Sequence, residues 1–113
     1  MHYILDVTCA QGLDDSSKIA LFIRTLVDTL PGVHLVYGYP KIEKFTNGSD
    51  FGPGITAVAV ISESHIVVHT SPEIHKLHLD IFSCKSFDKA KVYNLVDMEF
   101  TIVDVLCTAV LDR

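Results

Sequence analysis

Apolar and polar positions alternate over residues 2–8, with Tyr3, Leu5 and Val7 on one side, which predicts a first β-strand. Gly12-Leu13-Asp14-Asp15-Ser16 then reads as a turn leading into a helix, with aspartates at its positive end. Ile19, Phe22, Ile23, Leu26 and Leu30 recur at helical spacing and predict a helix over about 15–30, stopped by Pro31-Gly32. Residues 33–45 read as strand, interrupted by Pro40. Asn47-Gly48-Ser49-Asp50-Phe51-Gly52-Pro53-Gly54 reads as a flexible loop. Three apolar strands follow at 55–62, 65–70 and 76–83. A second helix is predicted over 87–100, with Val92, Leu95 and Val96 inward, and a final strand over about 101–110.

The order β-α-β-β-β-β-α-β predicts an α+β fold, a two-layer sandwich. Few connections are long enough for parallel crossovers, so the sheet is expected to be mostly antiparallel with both helices on one face. Strand 55–62 is apolar on both sides (Ile55, Ala57, Val58, Ala59, Val60, Ile61), so the second face needs cover. Sheet-on-sheet packing of two copies is the simplest solution. A hydrophobic fraction of 49% strengthens that expectation, and 113 residues make a single domain, 1–113.

Charge narrows the partners. A net charge of −5 argues against nucleic acid or an anionic membrane as the main partner. No apolar run approaches the ~20 residues of a membrane span. The start, Met1-His2-Tyr3-Ile4-Leu5-Asp6, lacks the pattern of a signal peptide. Three cysteines lie far apart, which argues against a disulfide framework or a zinc site and for a reducing cytoplasm. Cys107 reads as core, and Cys9 as a loop residue that is either structural or functional. His2 and His34 carry no signal. His65 and His69 would lie roughly 13 Å apart on a strand, and His75 and His78 on opposite faces, so neither pair suits a metal. The glycines of 48–54 lack the spacing and lysine of a phosphate cradle. Asp14 and Asp15 read as helix caps, and Asp6 and Asp80 as solvent-facing.

The chemistry concentrates in Ile61-Ser62-Glu63-Ser64-His65-Ile66-Val67-Val68-His69-Thr70-Ser71-Pro72-Glu73, with Cys84 beyond. Glu63-Ser64 between apolar strands is either a polar hairpin turn or a self-cleaving bond. In the second case the Ser64 hydroxyl attacks the Glu63 carbonyl carbon and an ester forms. β-Elimination then leaves a dehydroalanine that hydrolyses to a pyruvoyl group. That route needs a base for the Ser64 α-proton and a donor for the oxyanion. His69 is either that base or a half-buried strand residue. Five residues of strand span about 16 Å, so its direct reach to Ser64 would need the chain to fold back. Cys84 is either a structural thiol or a proton donor.

At these residues the chain resembles the prokaryotic-type, pyruvoyl-dependent S-adenosylmethionine decarboxylase proenzymes. Ile61-Ser62-Glu63-Ser64-His65, Val68-His69-Thr70, Pro72-Glu73 and Asp80-Ile81-Phe82-Ser83-Cys84 fall in family register without a gap. The resemblance implies cleavage between Glu63 and Ser64, with a pyruvoyl cofactor derived from Ser64 that forms a Schiff base with substrate. It implies that His69 and Thr56 assist processing and that Cys84 protonates the product carbon. By the same match Phe45 stacks on adenine and Glu73 contacts the ribose. The implied assembly is a homodimer, a four-layer αββα sandwich with active sites at the interface. The implied product supplies aminopropyl groups for spermidine.

The chain departs from the family pattern at Ser71, where an aromatic is usual, in a longer loop over 46–54, and in a bulkier segment over 74–78. Loss of one stacking face removes about 1–3 kcal/mol of base binding, by analogy with nucleic-acid stacking. Two other readings therefore stand beside the first: a pyruvoyl-dependent decarboxylase of an amino acid such as arginine or ornithine, or an uncleaved binding or regulatory homologue.

Overall fold

The computed structural model describes residues 1–46 and 52–113, so most of the expected loop over 47–54 lies outside the described residues. Among the described residues six strands and two α-helices form, with a short 3-10 turn at Pro72–Ile74: β1 (His2–Cys9), α1 (Ser16–Thr29), β2 (Lys41–Phe45), β3 (Gly54–Ile61), β4 (Ser64–Ser71), β5 (Lys76–Ser83), α2 (Lys89–Phe100) and β6 (Ile102–Leu111). They make one sheet in the order β2-β3-β4-β5-β1-β6. All five pairings are antiparallel, as short connections require. The expected α+β sandwich is therefore the observed one.

Alternation decides the faces. Tyr3, Leu5, Val7 and Cys9 of β1, Ile55, Ala57, Ala59 and Ile61 of β3, Ile66 and Val68 of β4, and Leu77, Leu79 and Ile81 of β5 are all buried. They meet the helical residues Ile19, Phe22, Ile23, Leu26, Val92, Val96 and Phe100, so one side of the sheet carries the core. Each buried Val, Leu, Ile or Phe among them contributes about 1.5–3 kcal/mol by leaving water. Phe22 and Phe100 lock the helices together edge to face, with centroids 5.2 Å apart. Asp15 caps α1 by accepting from the Lys18 amide at 3.1 Å. Asp88 accepts from the Ala90 amide at 2.9 Å, and this cap starts α2 at Lys89 rather than at the expected 87.

Three expectations are corrected. Only Lys41–Phe45 of the 33–45 segment is strand, because Pro40 has no amide to donate; Leu35 makes an isolated bridge to Ile61. Cys9 ends β1 and is buried, not in a loop; burial first, then the Asp97 carboxylate, push its thiol up to about 11. Cys107 is exposed, not core. It lies on the edge strand β6 opposite Asp6, on the side without helices.

That second side matters most for function. It presents His2, Ile4, Asp6 and Thr8 of β1, Lys76, His78, Asp80 and Phe82 of β5, His65, Val67 and His69 of β4, and Thr56, Val58 and Val60 of β3, as strand parity and register dictate. Val58 and Val60 are 39% and 45% exposed, so β3 is indeed apolar on both sides with only one side covered.

Candidate active site

The β3–β4 hairpin turns on two residues, Ser62 and Glu63, with Ile61 paired to Ser64. Two-residue hairpins favour primed turns, which place positive φ within the turn. Neither Ser62 nor Glu63 has positive φ; Ser64 takes it instead, at 151°. Such a conformation costs a residue with a side chain of order 1–3 kcal/mol. The strain therefore falls on the residue after the Glu63–Ser64 bond.

Three groups converge on that bond. The Cys84 amide donates to the Glu63 carbonyl at 3.0 Å. The Ser64 hydroxyl lies 3.2 Å from His65 Nδ1. Lys85 Nζ approaches the Glu63 carboxylate at 3.5 Å. The Cys84 thiol, just past the end of β5, is exposed and unbridged. Ser64, Glu63 and Cys84 are thus gathered at one end of the sheet.

A second cluster forms farther along the same face. Thr56 Oγ1 lies 2.9 Å from His69 Nδ1, as their direct cross-strand pairing allows. The His69 ring stacks on His78, with centroids 6.1 Å apart. His78 Nδ1 reaches Asp6 at 2.9 Å. The line Thr56–His69–His78–Asp6 crosses four adjacent strands. Burial first, then the neighbouring His78, hold the His69 imidazole below its ordinary value of 6.5. Phe45, half exposed at the end of β2, and Glu73, exposed in the turn after β4, flank this same end. Ser71, the departure from the expected aromatic, is buried and pairs with Lys76. Gly52 packs so tightly on the Glu73 carboxylate that a Cβ there would collide with it.

The two clusters do not meet within one chain. β4 runs unbroken from Ser64 to Ser71, so no fold-back brings His69 to Ser64. Five residues of strand separate them by about 16 Å.

Sequence reasoning missed several members. Asp80 does not simply face solvent: it lies 2.6 Å from His2 Nε2 and 3.8 Å from His65 Nε2. Asp6 is engaged by His78. His75 is not on a strand with His78; it holds a left-handed turn, φ 58°, ahead of β5. Strand parity was the available signal, since 65 and 69, 78 and 80, and 2 and 6 each fall on one face.

Fold and hairpin together define a small α+β protein with a strained serine at the end of its sheet. The family described as S-adenosylmethionine decarboxylase matches residues 1–111. An S-adenosylmethionine decarboxylase proenzyme of Methanococcus maripaludis is 38% identical over 74 residues, 66% of this chain and 54% of that one. The proenzyme of Methanococcus vannielii is 35% identical over 108 residues, 84% of this chain and 82% of that one. The proenzyme of Clostridium botulinum is 39% identical over 59 residues, 47% of this chain and 51% of that one. The chain spans about half the length of the Methanococcus maripaludis relative it matches. It belongs to the S-adenosylmethionine decarboxylase family.

Proposed function

We propose that this chain cleaves itself between Glu63 and Ser64, turns Ser64 into a pyruvoyl group, and decarboxylates S-adenosylmethionine. The product would supply aminopropyl groups for polyamine synthesis in the cytoplasm. The observation that carries the reading is the strained Ser64 whose preceding carbonyl is already polarised by the Cys84 amide at 3.0 Å. An amide aimed at that oxygen stabilises the charge that develops when a hydroxyl attacks the carbon, an effect worth several kcal/mol in comparable sites. Strain at Ser64 is relieved as the bond breaks, which favours the forward direction. Relatives named as proenzymes support a chain that matures.

The separation of the clusters supports a homodimer. Pairing the two helix-free faces across a two-fold axis would cover Val58 and Val60 and give a four-layer αββα sandwich. In such a pair, Ser64, Glu63 and Cys84 of one protomer would face the partner's Thr56, His69, Phe45 and Glu73. The partner's His69 would then take the Ser64 α-proton, with Thr56 fixing its ring through Nδ1. Phe45 would offer a face to adenine, and Glu73 an acceptor to the ribose hydroxyls.

The residues present fit the making of a pyruvoyl group, since its one precursor, a serine at a polarised and strained bond, is in place. When present, that ketone supplies an electron sink for loss of carbon dioxide from an amine-bearing carbon. Cys84, exposed beside the scissile bond, would return a proton to that carbon.

A depressed His69 keeps its imidazole neutral, and able to accept a proton, at pH values where an ordinary histidine is already half charged. Its service as a base is lost as pH falls through that lowered value. His78→Phe removes the second cause while keeping the packing. It should move the acid limb of self-cleavage to higher pH, read from cleavage rates across a pH series. An unmoved limb would deny His69 the role of base.

Substrate identity is tested by incubation with carboxyl-labelled S-adenosylmethionine, arginine and ornithine in parallel. Labelled carbon dioxide should come from S-adenosylmethionine alone. Release from either amino acid, with none from S-adenosylmethionine, would overturn the substrate assignment.

A further inference from the structure

We propose that His65, oriented by Asp80, is the base that activates the Ser64 hydroxyl in the first step of self-cleavage, a role separate from that of His69. The inference rests on the reading of Ser64 as the processed residue. Two different protons must leave Ser64: the hydroxyl proton when Oγ attacks, and the α-proton when the ester eliminates. One imidazole already lies at the first of these, with His65 Nδ1 3.2 Å from Oγ. His69 of the same chain lies about 16 Å away along β4.

The surroundings of His65 fit this task. Its far nitrogen, Nε2, lies 3.8 Å from Asp80 Oδ1, the side of the ring opposite Ser64. Asp80 is in turn fixed by His2 Nε2 at 2.6 Å. Among the described residues, the other nitrogen of His2 is buried without a hydrogen-bond partner, and Asp80 is the one side chain that holds the His2 ring by a polar contact. Phe82 packs against both rings, with centroids 5.8 Å from each. The arrangement is serine, histidine, carboxylate in line: nucleophile, base and orienting group.

The step balances without an external reagent. The Ser64 hydroxyl proton passes to His65 Nδ1 as Oγ bonds to the Glu63 carbonyl carbon. The oxyanion is held by the Cys84 amide. The imidazolium then gives its proton to the departing Ser64 nitrogen, the C–N bond breaks, and an ester with a free amine remains. His65 ends as it began.

Hydroxylamine distinguishes the steps, because it splits an ester under conditions that spare an amide. Freshly synthesised chain is followed on denaturing gels, with and without hydroxylamine. His65→Ala should cleave ~10²–10⁴-fold more slowly than the unsubstituted chain, accumulate no hydroxylamine-sensitive ester, and recover with added imidazole. His69→Ala, blocked later, should accumulate the ester. His65→Gln keeps polar volume without the basicity and guards against a folding artefact; with wild-type circular dichroism it should be equally slow. Asp80→Asn should slow cleavage less, and its effect should vanish in the His65→Gln background, since it acts through His65. Folded His65→Gln cleaving at the wild-type rate would overturn the proposal, as would ester accumulating in it as in His69→Ala. A wild-type chain that never cleaves would instead remove the reading of Ser64 on which the proposal stands.

Discussion

Two dead variants should make one live chain. On the proposed roles, Ser64→Ala has no hydroxyl to attack and His69→Ala no base for elimination, so neither should mature alone. Co-refolded in equal amounts, they should yield cleavage of the His69→Ala chain only. The reason is the distance between the clusters. Ser64 sits in the hairpin at one end of β4, and His69 pairs with Thr56 near the other. A site assembled across a two-fold axis takes its serine from one protomer and its imidazole from the other. The mixed dimer then holds one intact site, built on the Ser64 of the His69→Ala chain, and one doubly broken one. Random pairing puts about half of the chains in mixed dimers, so about half of the His69→Ala chain should be cleaved in one round of exchange. Distinct affinity tags and intact-mass measurement identify which chain was cut. Mixed dimers that form but leave both chains whole would refute a shared site.

Cys84→Ala should separate maturation from turnover. The residue contributes two groups, an amide to the Glu63 carbonyl and an exposed thiol. Alanine keeps the amide, so the chain should still cleave at a rate close to wild type. It removes the proposed proton donor, so carbon dioxide release from S-adenosylmethionine should fall by ~10²–10⁴-fold. The pair of readouts is a denaturing gel and a labelled-carboxyl assay on the same preparation. An uncleaved Cys84→Ala chain would assign the thiol to processing, and an unchanged turnover would remove it from the chemistry.

The elements of this fold were legible because its strands and helices each repeat with a clean period. Tyr3-Leu5-Val7 and Ile19-Phe22-Ile23-Leu26 announce their faces directly, and both are buried as expected. Pro40 announced the break in 33–45, yet its consequence, a strand of only Lys41–Phe45, depended on which neighbours could accept pairing. The misreading of Cys107 has a similar cause. An apolar run such as Val105-Leu106-Cys107 reads as interior, but it became an edge strand with an uncovered side.

The site was legible where it is local in sequence. Glu63, Ser64 and Cys84 do converge, and Thr56 does meet His69. The partners of those residues were not legible, because they arrive from β1. Asp6 reaches His78, and His2 reaches Asp80, only because β1 inserts between β5 and β6. A pattern read along the chain carries the parity of each strand but not its neighbour. His65 was hidden for a different reason: it was weighed as half of a chelating pair with His69, when its contacts are with Ser64 beside it and Asp80 across the ladder.

The hairpin has one more implication. Seven cross-strand pairs, from Ile55 with Thr70 to Ile61 with Ser64, zip β3 to β4 irrespective of the peptide link at their tip. A cut there leaves two fragments interleaved in one sheet, with no tether to return them to register once separated. On the proposed self-cleavage, assembly would have to finish before the chain is severed, and denaturation of the matured form would be a one-way event that its uncut parent does not share.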